Sequence, residues 1–565
     1  MKKFFAFLSM AALVLMGACT TQPAGDNAIP HLEKRGEVTQ LIVDGAPYLC
    51  LSGELRNSSA SSPEYMVPIW PKLKEAGLNT VIAVLSWEQI EPVEGEFHFE
   101  VVDRAIQDAH ANDLKLIFIW MGSWKNGITS YNPTWVKKDP ERFQLALTPE
   151  GKRLPILTTQ SAAACEADAK AYAALMKHIR AVDKHHTVVM MQVENEVGLH
   201  GYTRDYHPDA VKAFEGPVPA ALTDYLEAHY DTLLPETREA WDAQGRKKSG
   251  SWVEVFGEGD YTDELFMAWS YASYIDKIAA AGKAEYPIPA YVNAWIVQPT
   301  DQHPGDYPSG GPQAQNHDIW RAAAPNIDIL SPDIYLSDYA GILRRYSRGG
   351  NPVFVPESFS GAAGAANAAF TFGEMGGIGY SPFGIDSQLG NTNNDMLGEF
   401  YRLVDSFAPQ ILQAQAEGRI CGVWLRGANP QVLREERVLG DWRVHFELVS
   451  SGRRNGGAPQ VTGGSYDPMS AGYAIAIQEG DSFLVLGSNV RVWFYPADGE
   501  GIAGLAKVTE GHFENGQWQD GRWLNGDEIQ LRYDLLSAIE EGVSGQGLNF
   551  GTPKPQLMKV ELFKY

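Results

Sequence analysis

Between residues 40 and 428, short apolar runs alternate with stretches whose apolar residues recur every three or four positions. The segment VTQLIVDGAPYLCLSGE predicts a hairpin turning at Asp44-Gly45 and leading into a first buried strand. The next runs are NTVIAVLSW, LKLIFIW, VVMMQVEN, AYVNAW, IDILSPDIY, PVFVPES and GIGYSPF. They are near-continuously apolar, as strands covered on both faces must be. Helical patterns lie between them, including VVDRAIQDAHAND, AYAALMKHIRAVDKH and MAWSYASYIDKIAAAGK. Eight strands separated by helices predict an α/β fold, a (β/α)8 TIM barrel over 40–428. A doubly wound open sheet is the rival, but it needs a glycine-rich phosphate loop or another switch-point signal, and the sequence has none.

Two departures from the repeat matter. The interval 198–263 is too long for a loop and holds helical pieces of its own. It follows the fourth strand, on the face where barrel active sites form, so it is expected to wall a cleft. After Asn429 the helical period disappears. AGYAIAIQ, DSFLVLGS, RVWFYP and MKVELFKY alternate apolar with polar residues or carry aromatics. They predict an all-β sandwich over 429–565, packed against the barrel.

Composition narrows the function. Apolar residues make up 44% of the chain, enough for a large core, and the net charge of -24 repels nucleic acid. The N-terminus reads as a targeting segment: Lys2 and Lys3 precede an apolar run from Phe4 to Met16 that is too short for a permanent span. Small residues follow and end in Cys19. LMGAC resembles a bacterial lipobox, which implies cleavage, lipidation of Cys19 and a membrane anchor in the cell envelope. Thr20 after the cysteine implies the outer membrane, and residues 20–39 read as a tether. Cys50 and Cys421 lie in apolar runs and read as buried thiols; with Cys165 they leave room for one disulfide.

The chemistry sits at strand ends. Glu196, in QVENEVG, ends the fourth strand, and Glu357, in VFVPES, ends the seventh. A carboxylate directly after a buried strand is costly unless it faces a polar site. Two of them at the open rim of a barrel are what glycoside hydrolysis needs: one acid for the leaving oxygen, one nucleophile or base. Asn195 is placed to reach a sugar 2-hydroxyl. Alternation turns Glu194 away from Asn195. Trp87 and Glu91 end the second strand, Trp124 and Asn126 the third, Trp295 the fifth and Tyr335 the sixth. They are the candidate sugar contacts, with Tyr335 placed to steer Glu357. Glu88, Trp120 and Phe383 are weaker candidates. HExxH, CxxC and paired-histidine spacings are missing, so neither metal nor cofactor is expected.

These motifs together resemble glycoside hydrolase family 35. DGAPYLCLSGELR resembles its first strand, LSWEQIEPVEGEFHFE its second, QVENEVG its acid/base motif and VFVPESFSG its nucleophile strand. The resemblance covers roughly 40–400. It implies Glu196 as acid/base, Glu357 as nucleophile and Asn195 as a sugar contact. Ser123 stands where the family has a sugar-binding glutamate, and Lys125 and Asn126 follow it. The clan-related family 42 of galactosidases and the arabinosidases stay open as readings, because galactose and arabinopyranose share their axial hydroxyl. The expectation is a retaining exo-β-galactosidase acting on galactosyl side chains of plant-type oligo- or polysaccharides, with the Glu357 charge raising the Glu196 carboxyl. The alternatives are an arabinopyranosidase and a non-catalytic carbohydrate-binding surface lipoprotein.

Overall fold

The computed structural model describes residues 29–298, 301–390, 395–427, 431–449, 471–531 and 544–565. The leader and Cys19 lie outside the described residues.

Eight parallel strands close into a barrel. In chain order they are Cys50–Glu54, Thr80–Ser86, Lys115–Lys125, Val188–Asn195, Ala290–Trp295, Ile329–Ile334, Phe354–Ser358 and Gly379–Pro382. Each coincides with a run read from the sequence. The hairpin forms as expected: Val43 pairs with Ala46, and Asp44 and Gly45 have φ of 51° and 79°, the left-handed pair of a type I′ turn. The tether, however, ends earlier than 39. His31–Arg35 pairs with Val38–Val43, because LEKR and its partner bury Leu41 and Val43 under the barrel.

The interval after the fourth strand contains helices Pro208–Glu215, Ala220–Ala228, Pro235–Ala243 and Trp252–Phe256, then runs into the long helix Asp260–Glu285. Its first residues are fastened to the rim, where Leu199 and Ser309 exchange backbone hydrogen bonds.

The C-terminal domain is a sandwich of a six-stranded and a four-stranded sheet. Its core pairs Val423, Ala474, Ala476 and Val485 of one sheet with Val444, Phe446, Val492 and Phe494 of the other. The boundary drawn at 428 is corrected by strand Ile420–Arg426, which pairs with Ala471–Glu479 and so belongs to the sandwich. Its apolar run matches a buried barrel strand, so periodicity alone could not separate the two. The opposite face of Ala471–Glu479 places Tyr473, Ile475 and Ile477 in the barrel's own core cluster. They pack on helix Gly361–Gly373, and the neighbouring strand Ile420–Arg426 comes close to the same helix: a Cβ on Gly373 would sit 2.8 Å from Gly422 Cα. Cys50, Cys165 and Cys421 are all buried and free, so the possible disulfide among them does not form.

Candidate active site

The strand ending in Glu194, Asn195 and Glu196 is bent by its own backbone. Glu194 has φ of 64° and Glu196 of 45°, both in the left-handed region that non-glycine residues seldom enter. Such strain persists only where surrounding contacts enforce it. Here they are visible. Glu194 is fully buried, and its carboxyl oxygens accept the backbone N–H of Ser123 at 2.9 Å and of Trp124 at 2.7 Å. These two residues lie where the ladder between the third and fourth strands loses register, between Trp120 and Lys125. Glu194 therefore fills the gap in the ladder, with hydrogen bonds worth about 0.5–1.5 kcal/mol each. It faces away from Asn195, as alternation implied for neighbours, but also away from Gln192 two residues earlier, so the strand's alternation breaks at this bend.

Glu196 and Glu357 do meet. With Asp333, at the end of the sixth strand, they form a group in which one oxygen from each lies within 4.8 Å of the others. Among the described residues this is also the group whose spacing suits a cation. Burial, and then the charge of Glu357, raise the Glu196 carboxyl to about 7, while Lys125 and a hydrogen bond with Asp333 oppose the rise. Burial is the larger cause, where the sequence pointed to the Glu357 charge alone. Glu357 is itself raised by burial, against the pull of Lys125 and of Tyr335. Asp333 is pushed well above the usual carboxylate range by burial and by the charges of Glu357, Glu196 and Glu54.

Asn293 organises these groups. Its Oδ1 accepts the Glu196 N–H at 2.9 Å and Gln192 Nε2 at 3.0 Å. Its Nδ2 donates to Asp333 Oδ2 at 2.7 Å and Asn195 Oδ1 at 3.2 Å, and faces Glu357 Oε1 at 3.4 Å. Asn195 in turn donates to Asn126 Oδ1 at 3.1 Å. Asn195 and Asn126 are thus brought to the pair as one hydrogen-bonded unit. Tyr335 Oη donates to Glu357 Oε2 at 3.0 Å, the steering contact expected for it. Trp295 is 38% exposed at the end of the fifth strand and edge-on to His200 at 5.0 Å. Removing the Tyr335 hydroxyl deletes one hydrogen bond to a charged group. Tyr335→Phe should lower kcat by roughly 10–100-fold in steady-state kinetics, with little change in fold.

Three candidates have other work. Glu91 is buried with Trp87 Nε1 donating to Oε2 at 2.8 Å and Gly95 N–H to Oε1 at 2.7 Å, so its carboxylate closes a turn. Trp87 is fully buried and packs edge-on against Trp135. Trp124 donates to Leu157 O at 3.1 Å and packs against Tyr271 and Tyr274. Sequence position could not distinguish these inward-packed aromatics from Trp295. Ser123 is buried against Asp168 at 2.6 Å, and Trp120 donates to the same carboxylate. Glu91→Ala should therefore cost about 2–4 kcal/mol of stability, read as a lower unfolding midpoint, with KM changed less than about threefold.

Asn293, Asp333 and Gln192 do not stand out in the sequence reading. Each interrupts an apolar run (VNAW, SPDIY and MMQVE), and a polar residue inside a fully buried strand was the available signal.

Residues 64–254 match a family model of glycoside hydrolase family 42, described as beta-galactosidase, and residues 397–535 match one described as a domain of unknown function, DUF5597. The matching family is 42, where the motifs pointed first to family 35. The chain is 24% identical to a beta-galactosidase of Arthrobacter sp over 281 residues, covering 47% of this chain and 35% of that protein. It is 29% identical to a beta-galactosidase of Xanthomonas manihotis over 241 residues, covering 41% and 38%. The chain thus matches little more than a third of the length of these curated relatives. Among solved structures, the beta-galactosidase of Bacillus circulans sp. alkalophilus superposes with a TM-score of 0.44 at 15% identity, covering 65% of this chain and 57% of that one. Over 64–254 the barrel is thus similar in sequence to glycoside hydrolase family 42, and two buried glutamates meet at its rim.

Proposed function

We propose that the chain is a retaining, exo-acting β-galactosidase. The observation that carries this is the separation of Glu196 and Glu357, whose nearest oxygens lie within 4.8 Å. Retaining enzymes hold their carboxyl groups about 5–5.5 Å apart, and inverting ones leave roughly 6.5–9.5 Å for a water. In the first step Glu357 attacks the anomeric carbon while Glu196 gives its proton to the leaving oxygen. In the second, Glu196 takes a proton from water, which displaces Glu357 from the sugar. The environments fit these roles. Glu196 at about 7 keeps its proton up to near neutral pH, and Tyr335 occupies one oxygen of Glu357, leaving Oε1 for attack. The two carboxyls are only 7% and 6% exposed, which supports a closed pocket for a terminal sugar.

Galactose is the sugar the matched family model and both curated relatives support. The source of that galactose, side chains of plant-type oligo- or polysaccharide, rests on the leader and lipobox, with Cys19 anchoring the protein to the envelope. Purified protein should hydrolyse nitrophenyl β-galactoside within a panel of nitrophenyl glycosides. Preference for α-L-arabinopyranoside would keep the mechanism and change the sugar. Sugar-dependent thermal shifts without turnover on any glycoside, galactosylated oligosaccharides included, would replace the proposal with a binding protein.

A further inference from the structure

The interior of the barrel changes from apolar to polar beneath the carboxylate pair. Cys50, Ile82, Ile117, Met190, Tyr291 and Ile329 point inward and form one buried cluster. Further along the same strands, alternation brings Glu54, Gln192, Asn293, Ser331 and Asp333 to the inside. Six atoms of this region are buried without a hydrogen-bond partner among the described residues: both carboxyl oxygens of Glu54, Tyr291 Oη, Ser331 Oγ, Asp333 Oδ1 and Gln192 Oε1. Buried polar atoms in folded proteins are nearly all paired, and ordered water serves where protein groups do not reach. Six such atoms on four strands of one barrel interior are a lining suited to enclosed water.

Glu54 is the extreme case. It ends the first strand, is 1% exposed, and neither of its oxygens has a partner among the described residues. The charged and titratable groups that face it come from five other strands or their ends. Lys125 lies on the third, Glu196 after the fourth, Tyr291 on the fifth, Asp333 and Tyr335 at the sixth and Glu357 on the seventh. One ammonium cannot balance four buried carboxylates, so some of them stay neutral.

We propose that Glu54 is a positioning residue: enclosed water bridges its carboxyl to Tyr291 and Asp333, and through that water it donates a hydrogen bond toward the nucleophile Glu357. A neutral acid beside an anion serves as a donor, and burial followed by the Glu357 charge holds Glu54 well above the usual carboxylate range. The effect on rate rests on the glycosidase proposal; the hydration of the barrel interior does not.

Two variants and a crystal structure test this. A high-resolution crystal structure of the wild-type protein should show ordered water within hydrogen-bond distance of the Glu54 carboxyl. Both oxygens bonded directly to protein groups, with no such water, would overturn the proposal. Glu54→Leu removes the donor. It should lower kcat for a nitrophenyl β-galactoside by roughly 10–30-fold and move the acidic limb of its pH profile upward, with KM little changed. Glu54→Gln keeps a donor and should stay within about threefold of wild type. A Leu profile that superimposes on wild type, or a Gln variant as impaired as Leu, sinks the idea. Stability supplies an arm independent of activity. A carboxyl raised in the folded state costs stability as pH rises above its unfolded value, the ordinary 4.5 of a glutamate. Glu54→Gln should therefore unfold at a higher temperature than wild type at pH 8, with a smaller difference at pH 5. A variant equally destabilised at both pH values marks Glu54 as merely structural. If the wild type hydrolyses no galactoside, the functional proposal fails while the crystal and unfolding experiments still decide the role of Glu54.

Discussion

Glu357→Gln should lower kcat by about 10⁴-fold or more while leaving KM within about tenfold. The amide keeps the size of the side chain and can still meet Tyr335 Oη, so the fold and the floor of the site should persist. What it loses is the electron pair that forms the bond to the anomeric carbon. Because Asn293 Nδ2 is a donor 3.4 Å from Oε1, the amide oxygen of the variant belongs on that side and its N–H faces Tyr335 Oη, which can accept. A small anion such as azide can enter the space if Glu357 is cut back to alanine. Attack from that side should then give an α-galactosyl azide. Steady-state kinetics on the Gln variant and product analysis on the Ala variant check the two statements separately. A Gln variant retaining more than about a tenth of the wild-type kcat would remove Glu357 from the role of nucleophile.

The second large effect belongs to Glu196, and it depends on the leaving group. General acid catalysis contributes roughly 10²–10⁴-fold, and only where the departing oxygen needs the proton. Glu196→Gln should therefore nearly abolish turnover of natural galactosides and of aglycones with high pKa. It should spare the first step for dinitrophenyl galactoside, so that glycosyl-enzyme accumulates and a burst appears. The pH profile follows from the same group. Its acid form is required, and its carboxyl is raised to about 7, so wild-type activity should fall as pH rises through that value. The variant has no such proton to lose, and its alkaline limb should flatten. The acidic limb remains, because Glu357 must be charged, and burial places that limb above the ordinary carboxylate range. The limbs describe an interacting pair, so they report the titration of both groups together. Equal losses on good and poor leaving groups, with the alkaline limb unchanged, would argue against Glu196 as the acid.

The sequence is most informative where one physical requirement dominates. Strands covered on both faces must be apolar throughout, so all eight barrel strands are legible. Glu196 and Glu357 are legible because a carboxylate at the end of such a strand is costly unless a polar site receives it. The same logic extended to polar residues one or two positions inside the strands would reach Asn293 and Asp333. Their role lies in contacts across the barrel, between strands distant in sequence, and no local pattern records those. The aromatics mislead for the opposite reason. Trp87 and Trp124 are buried while Trp295 is exposed, and all three end a strand with the same residue type. Glu91 misleads because a carboxylate closing a turn through the Gly95 N–H has the sequence signature of one facing a sugar. The domain boundary moves because Ile420–Arg426 is buried between the sandwich and the barrel helices, so its texture is that of a barrel strand.

A double displacement between Glu196 and Glu357 is tested most directly by the first sugar released from a nitrophenyl β-galactoside, followed by proton NMR before the free sugar mutarotates. β-Galactose is the expected initial product. Initial release of α-galactose would contradict the double displacement, because a single displacement by water inverts the anomeric centre.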